Sequence, residues 1–295
     1  MDLESLIKSL GEQDFHCLPN EGNAGDGLIH AGLDRLAARL GLRLEKLGYP
    51  AERTGKNLLF VGAGSFCRGS WHMVNPLRYY CTRFENVYVL PASFETTFAP
   101  IHKLLRELPT NVTLFCRERI SYDAVLKIVP RPEKIFLDHD LAFQLDVSRW
   151  KKPGQGHLNA FRTDNESRLG RVPASNFDIS NMGREYHHDL ILDTLSNFES
   201  VNTDRLHVAI AGALLEKTVQ IFEGNYHKIR GIYDYSLREK FPNVRLCGAN
   251  ELKRVLAESD RLAFRKRVHQ LVLRLPRADD LMRVIKERRS RVSTK

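Results

Sequence analysis

The sequence predicts an α/β protein with parallel sheets, and three observations carry that prediction. Four short apolar runs recur through the first part of the chain: NLLFVG at Asn57–Gly62, NVYVL at Asn86–Leu90, NVTLFC at Asn111–Cys116 and KIFL at Lys134–Leu137. Helical stretches separate them at Leu28–Leu47, Ala99–Leu108 and Ser121–Ile128. The strand runs are continuously apolar rather than alternating, as expected when helices cover both faces of a parallel sheet. The first half therefore reads as a Rossmann-like unit.

Residues 146–200 change texture. The stretch LDVSRWKKPGQGH is polar with Gly and Pro, HLNAFRTD reads as a strand entering a loop, and RLGRVPASNFDISN is a connection or lid. Alternation then resumes: helical stretches at Tyr186–Phe198, Thr203–Lys217 and Tyr235–Lys240, strands at Val219–Phe222 and Asn243–Leu246. Two such halves facing each other leave a cleft at the carboxyl ends of their strands, where open α/β sheets bind ligands.

Composition bounds the rest. The 295 residues suffice for two ordinary domains or one large α/β domain, and 42% hydrophobic against 27% charged excludes whole-chain disorder. The longest apolar run, Val208–Leu215, is far short of the roughly 20 residues of a bilayer span. The start, MDLESLIKSLGEQD, carries acids where a signal peptide is basic, so no export is expected. Cys17, Cys67, Cys81, Cys116 and Cys247 are odd in number and lack metal-clip spacing, which fits a reduced cytoplasm. Cys116 reads as a small buried hydrophobe.

The net charge of +9 sits in the tail: residues 251–295 hold 14 Lys/Arg against 6 Asp/Glu, a balance of +8, leaving +1 for the first 250. Leu262, Val268, Leu271, Val272 and Leu275 interleave with these bases at helical spacing. An amphipathic basic segment suits an anionic membrane surface or an acidic, lipid-linked substrate; a terminal helix with a solvated basic face accounts for it equally. No nucleic-acid motif accompanies the charge, so nucleic acid is not an expected partner.

The sharpest motif is Thr203-Asp204-Arg205-Leu206-His207 before VAIAGALLEK. Thr203 or Asp204 is a sound helix start, which places Arg205 and His207 in a first turn whose free N–H groups favour an anion. Arg adds a donor fork and His a proton donor near neutral pH; a surface Arg beside a capped His is the bland alternative. Asn23-Ala24-Gly25-Asp26-Gly27 reads as a substrate loop or a structural turn, with Asp26 able to cap a helix from near Leu28. Gly62-Ala63-Gly64-Ser65 is a tight strand-end turn. Further strand-end clusters are Arg117-Glu118 with Ser121, Asp138-His139-Asp140, and Arg162-Thr163-Asp164 with Glu166. Asp138 and Asp140, two apart, would share a face and hold a metal, activate a hydroxyl, or merely cap. Arg162 would point into the cleft, and Asn225-Tyr226-His227-Lys228 could bring Lys228 to a phosphate.

In this order the motifs GNAGD, GAGSF, RERIS, DLAF, FRTDNES, TDRLHVAIAGALLEK and NYHKIRGIYDYSL resemble the polysaccharide pyruvyl transferase family, over roughly residues 18–236. The resemblance implies two Rossmann-like domains facing a cleft in a GT-B-like arrangement; together with the texture and charge of the chain this gives 1–150 on the acceptor side, 151–270 on the phosphoenolpyruvate side, and 271–295 as a basic tail. It implies transfer of the pyruvyl group of phosphoenolpyruvate onto two hydroxyls of one sugar of a bacterial exopolysaccharide, capsule or lipid-linked precursor, forming a cyclic ketal and releasing phosphate. Phosphoenolpyruvate is then a co-substrate, and neither a cofactor nor a metal is demanded. Arg205 and His207 fall on the family's RLH positions and Arg162 on a second anion-binding Arg, with Lys228 completing the phosphoenolpyruvate set. Asp140 matches a DPAF-like segment, with Leu141 replacing the usual Pro. The acid role falls to His207, the base role to Asp26 or Asp140, and acceptor contacts to Asn23, Gly25 and Gly64. The acceptor sugar would be lipid- or nucleotide-linked, with the enzyme cytoplasmic and peripheral at the inner membrane face. The rival readings are a nucleotide-sugar-dependent GT-B glycosyltransferase and a non-catalytic polysaccharide-assembly partner.

Overall fold

The computed structural model describes residues 1–272 except Asn165, Glu166 and Arg168, and it describes side chains only up to residue 263. The basic tail beyond 272, Glu166, and the side chains of Val268, Leu271 and Val272 lie outside the described residues.

Chain order is α1 (Leu3–Leu10), β1 (Asp14–Leu18), α2 (Ala24–Leu40), β2 (Arg43–Lys46), β3 (Gly55–Phe60), α3 (Val74–Cys81), β4 (Phe84–Ala92), α4 (Ala99–Arg106), β5 (Val112–Cys116), α5 (Arg119–Leu126) and β6 (Ile135–Leu137). A second series follows: β7 (His157–Asn159), α6 (His188–Ser196), β8 (Ser200–Thr203), α7 (Leu206–Leu214), β9 (Thr218–Phe222), α8 (Lys228–Ile232), β10 (Val244–Cys247) and α9 (Ala249–Val272). The strands form two sheets, of order β2-β1-β3-β4-β5-β6 and β10-β9-β8-β7, with every pairing parallel.

Both faces of the first sheet are covered, which explains its unbroken apolar strands. Leu58, Phe60, Val87, Val89, Leu114 and Cys116 point into a core with α3, α4 and α5. Their neighbours Leu59, Val61, Tyr88, Leu90 and Phe115 point the other way, against α1 and α2. The period of two in a pleated strand sends alternate residues to opposite faces, and both faces are apolar here. Val201, Val219, Ile221 and Val244 of the second sheet pack with α6 and α7. All five cysteines are buried and free.

Several boundaries differ from the sequence reading. The helix expected over Leu28–Leu47 begins earlier, at Ala24, and stops at Leu40, where Gly41 takes φ 69° and its N–H closes onto Ala37 and Ala38 carbonyls. The rest of that stretch is β2, a mostly exposed edge strand with no apolar run to announce it, and it pairs with β1, which was also not read. The helix expected from Thr203 starts at Leu206, because Thr203 still belongs to β8. Tyr235–Lys240 is not a separate helix: α8 runs directly into a π-helical turn at Tyr233–Leu237.

One element joins the two halves. Ala24 and Leu28 of α2 lie in the core of the second sheet, while Ile29, Leu33 and Leu36 of the same helix lie in a core of the first. A Cβ on Gly27 would come 2.0 Å from the Glu185 carbonyl oxygen, and one on Gly32 would come 1.9 Å from that of Leu141. The helix is thus threaded between two backbone segments that approach it only where it has no side chain.

Candidate functional site

A cleft of about 870 Å³ opens where the carboxyl ends of both sheets converge. Asn20 follows β1, Gly64 and Ser65 follow β3, Glu95 follows β4 and Arg117 follows β5; from the other sheet come Arg162 after β7, Arg205 after β8, and Asn225, Tyr226 and Lys228 after β9. Parallel strands all end on the same edge, so residues far apart in sequence meet there.

Eight of the nine expected side chains or glycines line this cleft, Arg162 among them. Asn23, Gly25 and Asp26 stand at the start of α2, Arg205 and His207 at the start of α7, Gly64 after β3 and Lys228 at the start of α8. Asp26 is not the helix cap. Asn23 is, with Oδ1 accepting from the Gly25 N–H at 2.8 Å, while Asp26 Oδ2 accepts from the Asn23 N–H at 3.2 Å. Gly25 lies close under Ser180, whose Oγ would be 3.3 Å from a Cβ there. Gly64 leaves ordinary room, 3.6 Å from a notional Cβ to the Arg117 guanidinium.

The arginines sit in a carboxylate lattice. Arg162 and Arg205 are each 6% exposed. Arg205 donates to both oxygens of Asp178, at 3.0 and 2.6 Å, and lies 2.9 Å from Asp164 Oδ2. Arg162 donates to both oxygens of Asp164, at 2.8 and 3.2 Å. Asp164 therefore bridges the two guanidinium groups, while Asp178 holds Arg205 from the other side. Lys228 lies 4.6 Å from the Tyr226 ring centroid.

The 203–205 turn differs from a simple cap. Thr203 Oγ1 donates to the Ala160 carbonyl and accepts from the Arg205 N–H, and Asp204 accepts from the Arg162 N–H. Arg205 is itself the residue before the first turn of α7, and no side chain caps that helix. Asp204 is 1% exposed, its Oδ2 has no hydrogen-bond partner among the described residues, and burial pushes its carboxyl up to about 6.

Asp140 does not line the cleft. It is 1% exposed, pairs with Arg117 at 2.7 Å, accepts from the Ala142 N–H at 2.9 Å, and lies 3.5 Å from His207 Nε2. Burial works to raise its carboxyl, but His207 and Arg117 outweigh burial and hold it well below the usual carboxylate range. Arg117 is equally buried and also bonds Ser93 Oγ at 2.9 Å. Asp138 does not share a face with Asp140. Its oxygens take the N–H groups of Leu3 and His139, beside a separate cavity of about 510 Å³. Among the described residues no three His, Cys, Asp or Glu side chains cluster as a metal would require.

Sequence reasoning passed over Asp178, Ser180, Asn20 and His72, all in loops with no periodicity. His72 Nε2 meets Asn20 Oδ1 at 2.7 Å at the cleft wall. A contact between the two halves was also not read: His227 Nε2 lies 3.2 Å from the buried Glu118 and 3.1 Å from Ser121 Oγ.

Comparison with known proteins gives two findings. The model of the family described as polysaccharide pyruvyl transferase matches residues 23–219 of this chain. The crystal structure of an uncharacterized protein from Klebsiella pneumoniae subsp. pneumoniae NTUH-K2044 is similar, at 27% identity and a TM-score of 0.70, over 83% of this chain and 97% of that one. No curated protein matches.

Proposed function

The chain belongs to the polysaccharide pyruvyl transferase family, and on that premise we propose that it moves the pyruvyl group of phosphoenolpyruvate onto two hydroxyls of one sugar as a cyclic ketal, releasing phosphate. The two halves stand in a GT-B-like relation, the first taking the acceptor and the second the donor. The observation that carries this reading is the convergence of Arg162, Arg205 and Lys228 beside the uncapped start of α7, with His207 one residue further into the same helix. Phosphoenolpyruvate brings a carboxylate and a phosphate, and such a donor set answers both. Asp178 fixes the orientation of Arg205, while Asp164 occupies the position between the arginines that an anionic group of the donor would share or take.

His207 is the acid that protonates the methylene carbon. Its Nε2 lies 3.5 Å from Asp140 Oδ2, and in the acid form of the ring, the imidazolium, Nδ1 carries the second proton, the one that is delivered. Asp140, ionised and held by Arg117, orients that ring, and of the two carboxylates considered as base only Asp26 faces the cleft. Protonation of the carbon leaves an oxocarbenium-like centre that one sugar hydroxyl attacks. The second hydroxyl closes the ring as phosphate departs. Fixed positive groups facing the developing charge supply the larger share of the rate. The acceptor is a lipid-linked precursor of a surface polysaccharide, and the +8 stretch 251–295 holds the enzyme at the anionic inner face of the membrane.

The test is thermal unfolding with phosphoenolpyruvate and, separately, with uridine diphosphate sugars. Phosphoenolpyruvate should stabilise the protein by about 2.7 kcal/mol at a hundredfold excess over its dissociation constant. Arg205→Ala should abolish that shift, and His207→Ala should keep it while losing turnover. Stabilisation by the nucleotide sugar alone would move the protein to glycosyl transfer.

A further inference from the structure

Ketal formation uses two hydroxyls, and each must lose its proton. The sequence reading supplies one base in the cleft, Asp26. A second group on the wall built by the first sheet has the construction of a base.

His72 lies in the loop between β3 and α3 and lines the same cleft as His207. Its ring is tethered from behind. Nε2 meets Asn20 Oδ1 at 2.7 Å, and that oxygen also accepts from Ser65 Oγ at 3.1 Å. Asn20 and Ser65 are 2% and 1% exposed, so the tether is rigid, while His72 itself is open to the cleft. A carbonyl oxygen at Nε2 requires the proton on that nitrogen, which leaves the lone pair on Nδ1. Among the described residues Nδ1 meets only Ser70 Oγ, at 3.4 Å, a contact loose enough for an acceptor hydroxyl to replace. Partial desolvation lowers the proton affinity of the ring; the carboxylates that bear on it, Asp26 and Glu21, oppose this without cancelling it. The ring is therefore neutral near pH 7. An orienting amide, a fixed tautomer and an accessible lone pair are what a general base needs.

We propose that His72 is a catalytic base for one of the two acceptor hydroxyls, with Asn20 and Ser65 as the residues that position it; the inference rests on the pyruvyl-transfer reading above. In the step it serves, the hydroxyl O–H breaks and its proton goes to Nδ1. The oxygen bonds to the ketal carbon, and the bond from that carbon to the phosphate oxygen breaks. The imidazolium then hands its proton to the departing phosphate. The two histidines act from opposite walls: His207 delivers a proton to carbon, and His72 removes one from oxygen.

The experiment measures phosphate release from phosphoenolpyruvate with a panel of 4-nitrophenyl hexosides as acceptors, across roughly pH 5 to 9. His72→Gln should lower kcat about a hundredfold or more, erase the rising acid limb of the wild-type profile, and leave the thermal shift with phosphoenolpyruvate unchanged. Added imidazole should partly restore turnover in His72→Ala. A His72→Gln protein with wild-type kcat and its acid limb intact overturns the proposal. So does one that loses turnover and the phosphoenolpyruvate shift together, because that marks a structural role. A wild-type protein that phosphoenolpyruvate does not stabilise overturns the pyruvyl-transfer reading itself, a result the His72 variants cannot produce.

Discussion

Asp204 stands beside the two cleft arginines, yet burial dominates it: its carboxyl is raised to about 6, and one oxygen has no hydrogen-bond partner among the described residues. The unfolded chain gives up this proton near pH 4, whereas the folded protein keeps it to about 6. Between those values the folded state binds the extra proton, so this group's contribution to stability falls as pH rises through the window. Asp204→Asn removes the titration. Its stability relative to wild type should therefore improve by about 2 kcal/mol between pH 4.5 and pH 8, measured by urea unfolding at each pH. A difference that does not change with pH would show that the carboxyl is not perturbed. Asp140 has the opposite character, since Arg117 and His207 keep it ionised in a fully buried position. Residue by residue, the placement of Arg205, His207, Arg162 and Lys228 in the cleft was legible because they stand just after strands or at a helix start. Asp178 and His72 were not legible. Each sits in a loop without periodicity, and its importance comes from a partner far away in sequence: Arg205, 27 positions on from Asp178, and Asn20, 52 positions before His72.

At the scale of elements, α2 is the most consequential. It carries the cleft-lining turn at its start, packs in both cores, and passes two backbone segments at Gly27 and Gly32. Alanine is favoured over glycine inside a helix by about 1 kcal/mol. Here the added carbon at position 32 would overlap a carbonyl oxygen that cannot swing away, because Leu141 follows the buried Asp140. Gly32→Ala should therefore destabilise the protein by about 2 kcal/mol or more in denaturant unfolding. A neutral or stabilising change would mean that the turn at Leu141 can yield. The length of this helix was misread because Leu42, Leu44 and Leu47 continue an apolar pattern beyond its end. Gly41 stops it, through a left-handed backbone that only the folded chain reveals. The central strands were easier: both faces of β3, β4 and β5 are covered, and uninterrupted apolar runs mark them.

For the whole molecule, two parallel sheets bring residues that follow seven of their strands to one cleft, and the basic balance lies mainly beyond it. Residues 273–295 hold 8 Lys/Arg against 3 Asp/Glu, a balance of +5. A chain ending at Val272 should keep its unfolding midpoint and its response to phosphoenolpyruvate, while its affinity for phosphatidylglycerol vesicles falls more than tenfold, since each surface base contributes about 1 kcal/mol. Undiminished vesicle binding would remove the tail from the membrane reading. No helix among the described residues is long and apolar enough to cross a bilayer. By itself the sequence determined the α/β class, the parallel central strands and which basic side chains stand at strand ends and at the start of α7, because periodicity and residue chemistry are local properties. Only the tertiary structure decided that Asp140 lies beneath His207 rather than in the cleft, that Asp164 and Asp178 hold the arginines, and that His72 is tethered at the opposite wall. Those facts depend on where separate strand ends meet, and that meeting is set by the packing of both sheets around α2.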